Sequence, residues 1–276
     1  MSNTTISTSI DKPAIPHKAR KRFGQNFLHD PGVIDRIIRA IGPRTNDHLV
    51  EIGPGQGALT NQLQATAQKM DVVELDRDLI PFLKLQFGLN ENFTIHEADA
   101  LNFDFASLRE SDEQLRIVGN LPYNISTPLI FHLVSFADIV EDMHFMLQKE
   151  VVDRMAAGAG ENNYGRLSVM VQYFCKVDYV FHVGPGAFNP PPKVDSAIVR
   201  LTPYKELPHP CKDHRLLDRV VKSAFAMRRK TIRNGLKQLI TGDELSELDI
   251  DPSLRPERLP LESFVKIADY LADKHS

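Results

Sequence analysis

Apolar residues recur along this chain in two alternating spacings, one of short buried runs and one of helical period, and the alternation predicts strands interleaved with helices. Short runs bounded by turn residues predict strands at His48–Ile52, Met70–Leu75, Phe93–His96 and Met143–Leu147, with Ile117-Val118 inside another that ends at the Asn120 loop. Between them, Val33, Ile34, Ile37, Ile38 and Ile41 keep helical spacing behind the Asp30-Pro31 cap and stop at Gly42-Pro43. A second helix is expected to begin near Ala58, with Leu59 and Leu63 on its inner face, and Ser126–Ser135 and Tyr164–Phe174 repeat the helical pattern. Val177–Val183 and Ser196–Leu201 are expected to close the layer as a hairpin. Seven strands alternating with helices predict a doubly wound α/β layer on a mostly parallel sheet.

The pattern breaks between Pro203 and Pro210, a proline-bearing linker, after which every segment reads as helical: Leu216–Arg229, Thr231–Leu239 and Leu261–Leu271, separated by Gly242 and the Asp251–Pro260 stretch. Three parts result: a basic tail over residues 1–22, expected to be disordered, an α/β domain over 23–203, and a small helical domain over 211–276.

Composition narrows the class. With 42% hydrophobic and 25% charged residues the chain is ordinary globular protein. Cys175 and Cys211 stand far apart without Cys-x-x-Cys spacing, which argues against a disulfide framework or a zinc site and fits a reducing compartment, the cytoplasm. No run of apolar residues approaches membrane-spanning length, and the Ser/Thr-rich start has no apolar signal core. Net charge is −3, so bulk charge does not advertise nucleic acid. Its distribution does. Lys18, Arg20, Lys21 and Arg22 precede the first folded segment, and Lys222–Lys237 carries Lys222, Arg228, Arg229, Lys230, Arg233 and Lys237 without an acidic residue. Either group alone reads better as a solvated face or tail; together they suit a polyanion.

Candidate chemistry gathers at predicted strand ends. Gly53-Pro54-Gly55-Gln56-Gly57 after the first strand lets a ligand approach the backbone, yet lacks both the Gly-x-Gly-x-x-Gly dinucleotide spacing and the lysine of a P-loop. Glu74 ends the next strand, where a carboxylate meets a ribose hydroxyl pair; Asp99 follows the third, suited to accept from an adenine amine, with Ala100 and Leu101 as apolar wall. In Asn120-Leu121-Pro122-Tyr123, Pro122 holds Leu121 extended, so the Leu121 carbonyl and the Asn120 side-chain oxygen can both accept from one exocyclic amine while Tyr123 stacks on its ring. Phe188, in the stiff Gly184–Lys193 loop, is expected to face Tyr123 across that ring. Phe23–Leu28, with Gln25 and Asn26 between two phenylalanines, reads as a lid. These residues alone leave methyl transfer and hydride transfer both open.

On Gly24-Gln25-Asn26-Phe27-Leu28, Val50–Thr60, Glu74-Leu75-Asp76, Asp99-Ala100-Leu101, Asn120-Leu121-Pro122-Tyr123 and Phe188–Ser196, the chain resembles the small-subunit (16S) ribosomal RNA adenine dimethyltransferases, the kasugamycin-resistance dimethyltransferases, over roughly residues 20 to 270. The resemblance implies a class I, Rossmann-like methyltransferase fold with S-adenosyl-L-methionine as cofactor and no metal. It implies dimethylation of two adjacent adenosines near the 3′ end of small-subunit rRNA, within an assembly intermediate, by an enzyme expected to be monomeric. By the family pattern Asn26, Leu28, Gly53, Glu74, Asp99 and Asn120 hold the cofactor, and Tyr123 and Phe188 sandwich the flipped adenine; the residues' own chemistry adds Gly55 and Ala100 to the cofactor side, Asn120 and Leu121 to the chemistry, and Arg228, Arg229, Lys230 and Arg233 to the RNA side. A large-subunit RNA methylase, a non-catalytic assembly or transcription factor, and a nicotinamide dehydrogenase are the competing readings; the last needs the missing Gly-x-Gly-x-x-Gly.

Overall fold

The computed structural model describes residues 25–275 apart from Arg228, so the expected tail over 1–22, the Phe23-Gly24 start of the lid and Arg228 itself lie outside the described residues. Nine strands occur among them: β1 (Phe27–Leu28), β2 (His48–Ile52), β3 (Lys69–Glu74), β4 (Phe93–Glu97), β5 (Leu115–Asn120), β6 (Val140–Gln148), β7 (Cys175–Val183), β8 (Phe188–Asn189) and β9 (Ser196–Pro203). The helices are α1 (Pro31–Ile41), α2 (Thr60–Leu63), α3 (Ile80–Phe87), α4 (Ser126–Val134), α5 (Lys149–Ala156), α6 (Arg166–Phe174), α7 (His214–Phe225), α8 (Ile232–Gly235), α9 (Gly242–Glu247) and α10 (Leu261–His275).

Seven strands form one sheet in the order β4-β3-β2-β5-β6-β9-β7, parallel throughout except β9, which runs against both neighbours. Helices cover both faces, so the central strands are buried on either side and their sequences are nearly continuous apolar runs. The strand order reverses between β2 and β5, the position where open α/β sheets leave a crevice at their carboxyl ends. The expected hairpin of the last two strands does form, but β9 enters between β6 and β7.

Local chemistry sets the element ends. Asp30 caps α1 through Val33 N–H at 3.0 Å, Pro31 starts it, and Gly42 closes it in the left-handed region at φ 56°. The helix expected near Ala58 begins two residues later, after a run of turns, and still buries Leu59 and Leu63. Two helices of the α/β layer escaped the periodicity reading. One is α3, whose apolar residues go almost all round; the other is α5, where Glu150, Asp153 and Arg154 dilute the apolar stripe.

At the amino end of the sheet Arg116, buried, donates to Asp142 at 2.9 and 2.8 Å, to Asp47 at 2.6 Å, and to the Ile41 and Gly42 carbonyls at 2.6 and 3.2 Å. It ties α1, β5 and β6 together far from the crevice. Beside it, burial alone would raise Asp71, but hydrogen bonds from His48 and His96, each 2.6 Å, bring it down to about 2.

The last helices pack around Leu217, Val220, Val221, Ile232, Leu236, Leu245, Phe264 and Ile267, and this core also takes in Tyr164, Val169, Met170 and Tyr173 from around α6. Phe131 and Phe174 touch both this core and the sheet's core, so the helical unit sits on the α/β layer through α4 and α6. Its detail departs from the sequence reading. Helix α7 stops at Phe225 rather than Arg229, because the chain reverses with Arg229 at φ 68°, in the left-handed region. The expected Thr231–Leu239 helix shrinks to α8, and Gly242, taken as a separator, opens α9 behind the reciprocal Thr241–Glu244 cap.

Candidate active site

A cavity of ≈ 330 Å³ opens at the carboxyl ends of β2, β3 and β5, within the usual range of small-molecule sites. Every candidate cofactor residue lines it: Asn26, Leu28, Gly53, Gly55, Glu74, Asp99, Ala100 and Asn120, with Leu121 and Tyr123 at the same wall. The strand-end residues from Gly53 to Tyr123 meet here because three successive crossovers return their strand ends to one edge, and the segment before α1 brings Asn26 and Leu28 over them.

The glycine loop has a conformational reason. Gly53 and Gly55 sit at φ 66° and 57°, and a Cβ on Gly55 would stand 3.2 Å from the Phe27 ring, so the loop can bend under the lid only without side chains. Glu74, 7% exposed, is pushed up from its ordinary value by burial, while backbone N–H groups of Asp76 and Gly55 work the other way, the Asp76 one at 2.8 Å. The carboxylate is thus fixed at the strand end with its charge costly and its geometry set. Asp99 accepts from Leu101 N–H at 3.0 Å and from the Asn102 amide at 3.2 Å, which holds the Ala100-Leu101 turn against the cavity.

At the other end of the cavity Asn120 Nδ2 donates to the Asn26 carbonyl at 3.0 Å. With its N–H engaged there, the amide can flip only by losing that bond, so Oδ1 stays the acceptor end. Tyr123 is half-buried; its hydroxyl shares a 2.6 Å hydrogen bond with buried Ser196 Oγ on β9, and burial pushes its pKa up. That bond ties the tip of the ring to β9 and keeps the ring at the cavity wall.

Two expectations need correction. Phe188 does not line the cavity: it is 2% exposed, packed among Leu28, Ala187, Val183 and Ile198, because β8 pairs antiparallel with β1 and sets Phe188 opposite Leu28. For it to face Tyr123 across a base, that pairing would have to shift. The basic run, expected on the helices Leu216–Arg229 and Thr231–Leu239, lies partly outside both. Arg229 and Lys230 are exposed on the connector after α7, and Arg233 is exposed on α8.

Sequence reading also passed over residues the fold brings into play. Glu51, one residue from the carboxyl end of β2 and 2% exposed, lines the cavity and accepts from Thr60 Oγ1 at 2.6 Å; burial pushes it up to about 7, the Thr60 bond opposing and the Glu74 charge adding. Its signal was an acid inside an apolar run beside the glycine loop. Arg215 and Arg219 join Lys222, already part of the basic run, exposed along α7 at i, i+4 and i+7, opposite the buried stripe of Leu217, Val220, Val221 and Ala224, and they lead to the basic connector. Helical spacing of cations was the signal there. Direction matters too. Since β6 and β7 both oppose β9, the α5–α6 segment descends from the carboxyl to the amino end of the sheet. Helix α7 climbs back, with His214 at Tyr173 (5.5 Å between rings) and Phe225 at Tyr164 (6.2 Å). The connector therefore lies toward the cavity side.

Among the described residues no cluster of His, Cys, Asp or Glu could hold a metal ion, and no helix is long and apolar enough to cross a membrane.

Comparison with known proteins agrees with this geometry. The chain is 64% identical over 257 residues to "Ribosomal RNA small subunit methyltransferase A" of Pseudomonas aeruginosa, covering 93% of this chain and 96% of the relative. It is 63% identical over 259 residues to the protein of that name from Hahella chejuensis, covering 94% and 95%. A crystal structure of a dimethyladenosine transferase from Plasmodium falciparum superposes with a TM-score of 0.78 at 30% identity, over 90% of this chain and 98% of that one. The 23S rRNA methyltransferase ErmE shares the fold with a TM-score of 0.69 at 24% identity, over 90% of this chain and all of that one. The model of the family described as ribosomal RNA adenine dimethylase matches residues 16–273, nearly all of the folded chain, and the protein belongs to that family.

Proposed function

We propose that the protein transfers methyl groups from S-adenosyl-L-methionine to the exocyclic amines of two adjacent adenosines near the 3′ end of small-subunit (16S) rRNA, giving dimethyladenosines during assembly of the subunit. The observation that carries this is the shared cavity, in which carboxylates suited to a nucleoside and a proline-stiffened Asn-Leu-Pro-Tyr loop suited to an amine meet across one small volume. The names of relatives alike over almost their whole length point to the small-subunit RNA rather than another.

The cofactor supplies a methyl already bound to a positively charged sulfur, a good leaving group. The residues present fit it. Glu74 would accept from the ribose hydroxyls, Asp99 from the adenine amine between Ala100 and Leu101, and Gly53 and Gly55 would let the backbone approach, with Asn26 and Leu28 as cover. Asn120 Oδ1 and the Leu121 carbonyl accept from the substrate amine and draw its lone pair out of the ring, while Tyr123 stacks on the base. No covalent nucleophile is required. Extruding the base from its stack costs a few kcal/mol, and stacking on an aromatic face returns about 1–3 kcal/mol. Arg229, Lys230 and Arg233, with Arg228 in the same run and the Arg215–Arg219–Lys222 stripe, would hold the RNA backbone along the helical unit. The enzyme would act in the cytoplasm, as a monomer, on an assembly intermediate of the subunit.

The test is single-turnover mass spectrometry of nucleosides from unmethylated small subunits. Two dimethyladenosines near the 3′ end of the small-subunit RNA should form with the native chain, and Asn120→Ala should slow both transfers by about 2–4 kcal/mol of barrier, typical of losing one preorganised polar group. Near-native rates in that variant would remove Asn120 from the chemistry.

A further inference from the structure

Asp76 is 1% exposed and stands just beyond β3, two residues after Glu74. Its Oδ2 accepts from Gln25 Nε2 at 2.8 Å, while Oδ1 accepts from Asp78 N–H at 3.2 Å. The next residue in the lid is Asn26, and its carbonyl accepts from Asn120 Nδ2 at 3.0 Å. Beyond it the lid is tied to the loop preceding β9, by the β1–β8 pairing and by His29 N–H to the Ala187 carbonyl at 3.0 Å. The Asn26 carbonyl is therefore suspended between two anchors. One is the buried carboxylate at the cofactor end of the crevice; the other is the β8 loop.

We infer that Asp76 is a positioning residue for methyl transfer, acting through Gln25 and the Asn26 carbonyl to hold the Asn120 amide in the orientation that aims its oxygen at the substrate amine. An amide has two ends of opposite sense, and a carbonyl at its N–H end selects one of them. That carbonyl is on a short lid segment, whose position a single side-chain bond to a rigid strand end can fix. A buried carboxylate is a strong acceptor for such a bond. The same anchor adjoins Glu74, whose carboxylate accepts from the Asp76 N–H, so one turn serves both the cofactor end and the reacting end of the site.

The inference rests on the Asn120 role proposed above, and the experiment separates the two. Cofactor affinity by calorimetry and single-turnover methylation of unmethylated small subunits would be measured for Gln25→Ala, Asp76→Asn, Asn120→Ala and the Gln25→Ala/Asn120→Ala pair. Gln25→Ala leaves the Asp76–Asp78 turn intact, so it should slow transfer by about tenfold or more with cofactor affinity changed less than about threefold. Asp76→Asn leaves one oxygen for the two donors that now share the carboxylate, Gln25 Nε2 and the Asp78 N–H, so it should slow transfer up to the Gln25→Ala level; native rates in both variants would overturn the positioning role. In the Asn120→Ala background, Gln25→Ala should add nothing, because its effect passes through the amide. Slow Asn120→Ala with unimpaired Gln25→Ala would overturn the positioning role alone, as would a Gln25 effect that persists without Asn120. Native rates in Asn120→Ala would overturn both readings.

Discussion

Replacing Glu51 with glutamine isolates a titration that burial creates inside the cavity. The carboxyl is 2% exposed and pushed from 4.5 up to about 7, by burial first, against the Thr60 hydroxyl bond and with the charge of Glu74 adding. A folded-state pKa above the unfolded one means that the group stabilises the fold fully below 4.5 and that this stability is lost as pH rises through about 7. At about 1.4 kcal/mol for each pKa unit, the loss across that window is on the order of 3 kcal/mol. Glutamine does not titrate, so the stability difference between the native chain and Glu51→Gln should change by that amount between pH 4.5 and 7 and be flat above it. A cation in the cavity favours the ionised form. Binding of the sulfonium cofactor should therefore release part of a proton within the same window, and cofactor affinity should rise with pH through it. Calorimetry in buffers of different ionisation heat counts that proton directly. Equal proton release by the native chain and Glu51→Gln, or a stability difference that does not vary with pH, would refute the reasoning.

Glu74→Ala should weaken cofactor binding by about 1–3 kcal/mol, since two hydroxyls lose a charged acceptor, with RNA affinity unchanged when each ligand is titrated alone. Neutralising Arg228, Arg229 and Lys230 together should flatten the log–log salt dependence of RNA binding by about two to three phosphate contacts; an unaltered slope would make these charges mere solvation of the connector. The Arg215, Arg219 and Lys222 stripe should lower the slope separately, which footprint titrations of the two triple variants would show. Arg116→Met leaves Asp142 without its cation and Asp47 with Arg44 alone, which should cost about 3–5 kcal/mol in denaturant unfolding, while cofactor affinity per folded molecule stays native.

Much of this molecule was legible in the chain alone. Strands with buried apolar runs and the capped α1 declare themselves because their physics is local: side-chain period, caps and turn residues act within a few positions. Glu74, Asp99 and Asn120 could be read as strand-end groups for the same reason, since alternating strands and helices return successive strand ends to one edge. Tertiary structure decided what depends on distant partners. The insertion of β9 between β6 and β7, the burial of Phe188 behind Leu28, and the break of the basic run at Arg229 each follow from which surfaces pack, and no local spacing encodes that. Glu51 shows the limit most plainly. As a letter it is an acid in a strand; only the closed sheet beneath the cavity removes its water, and that desolvation turns it into a group that titrates near neutrality. The lid is the same case in hydrogen bonds, because Gln25 and Asn26 acquire their meaning from Asp76 and Asn120, 51 and 94 residues away, which share a site only once the sheet has formed.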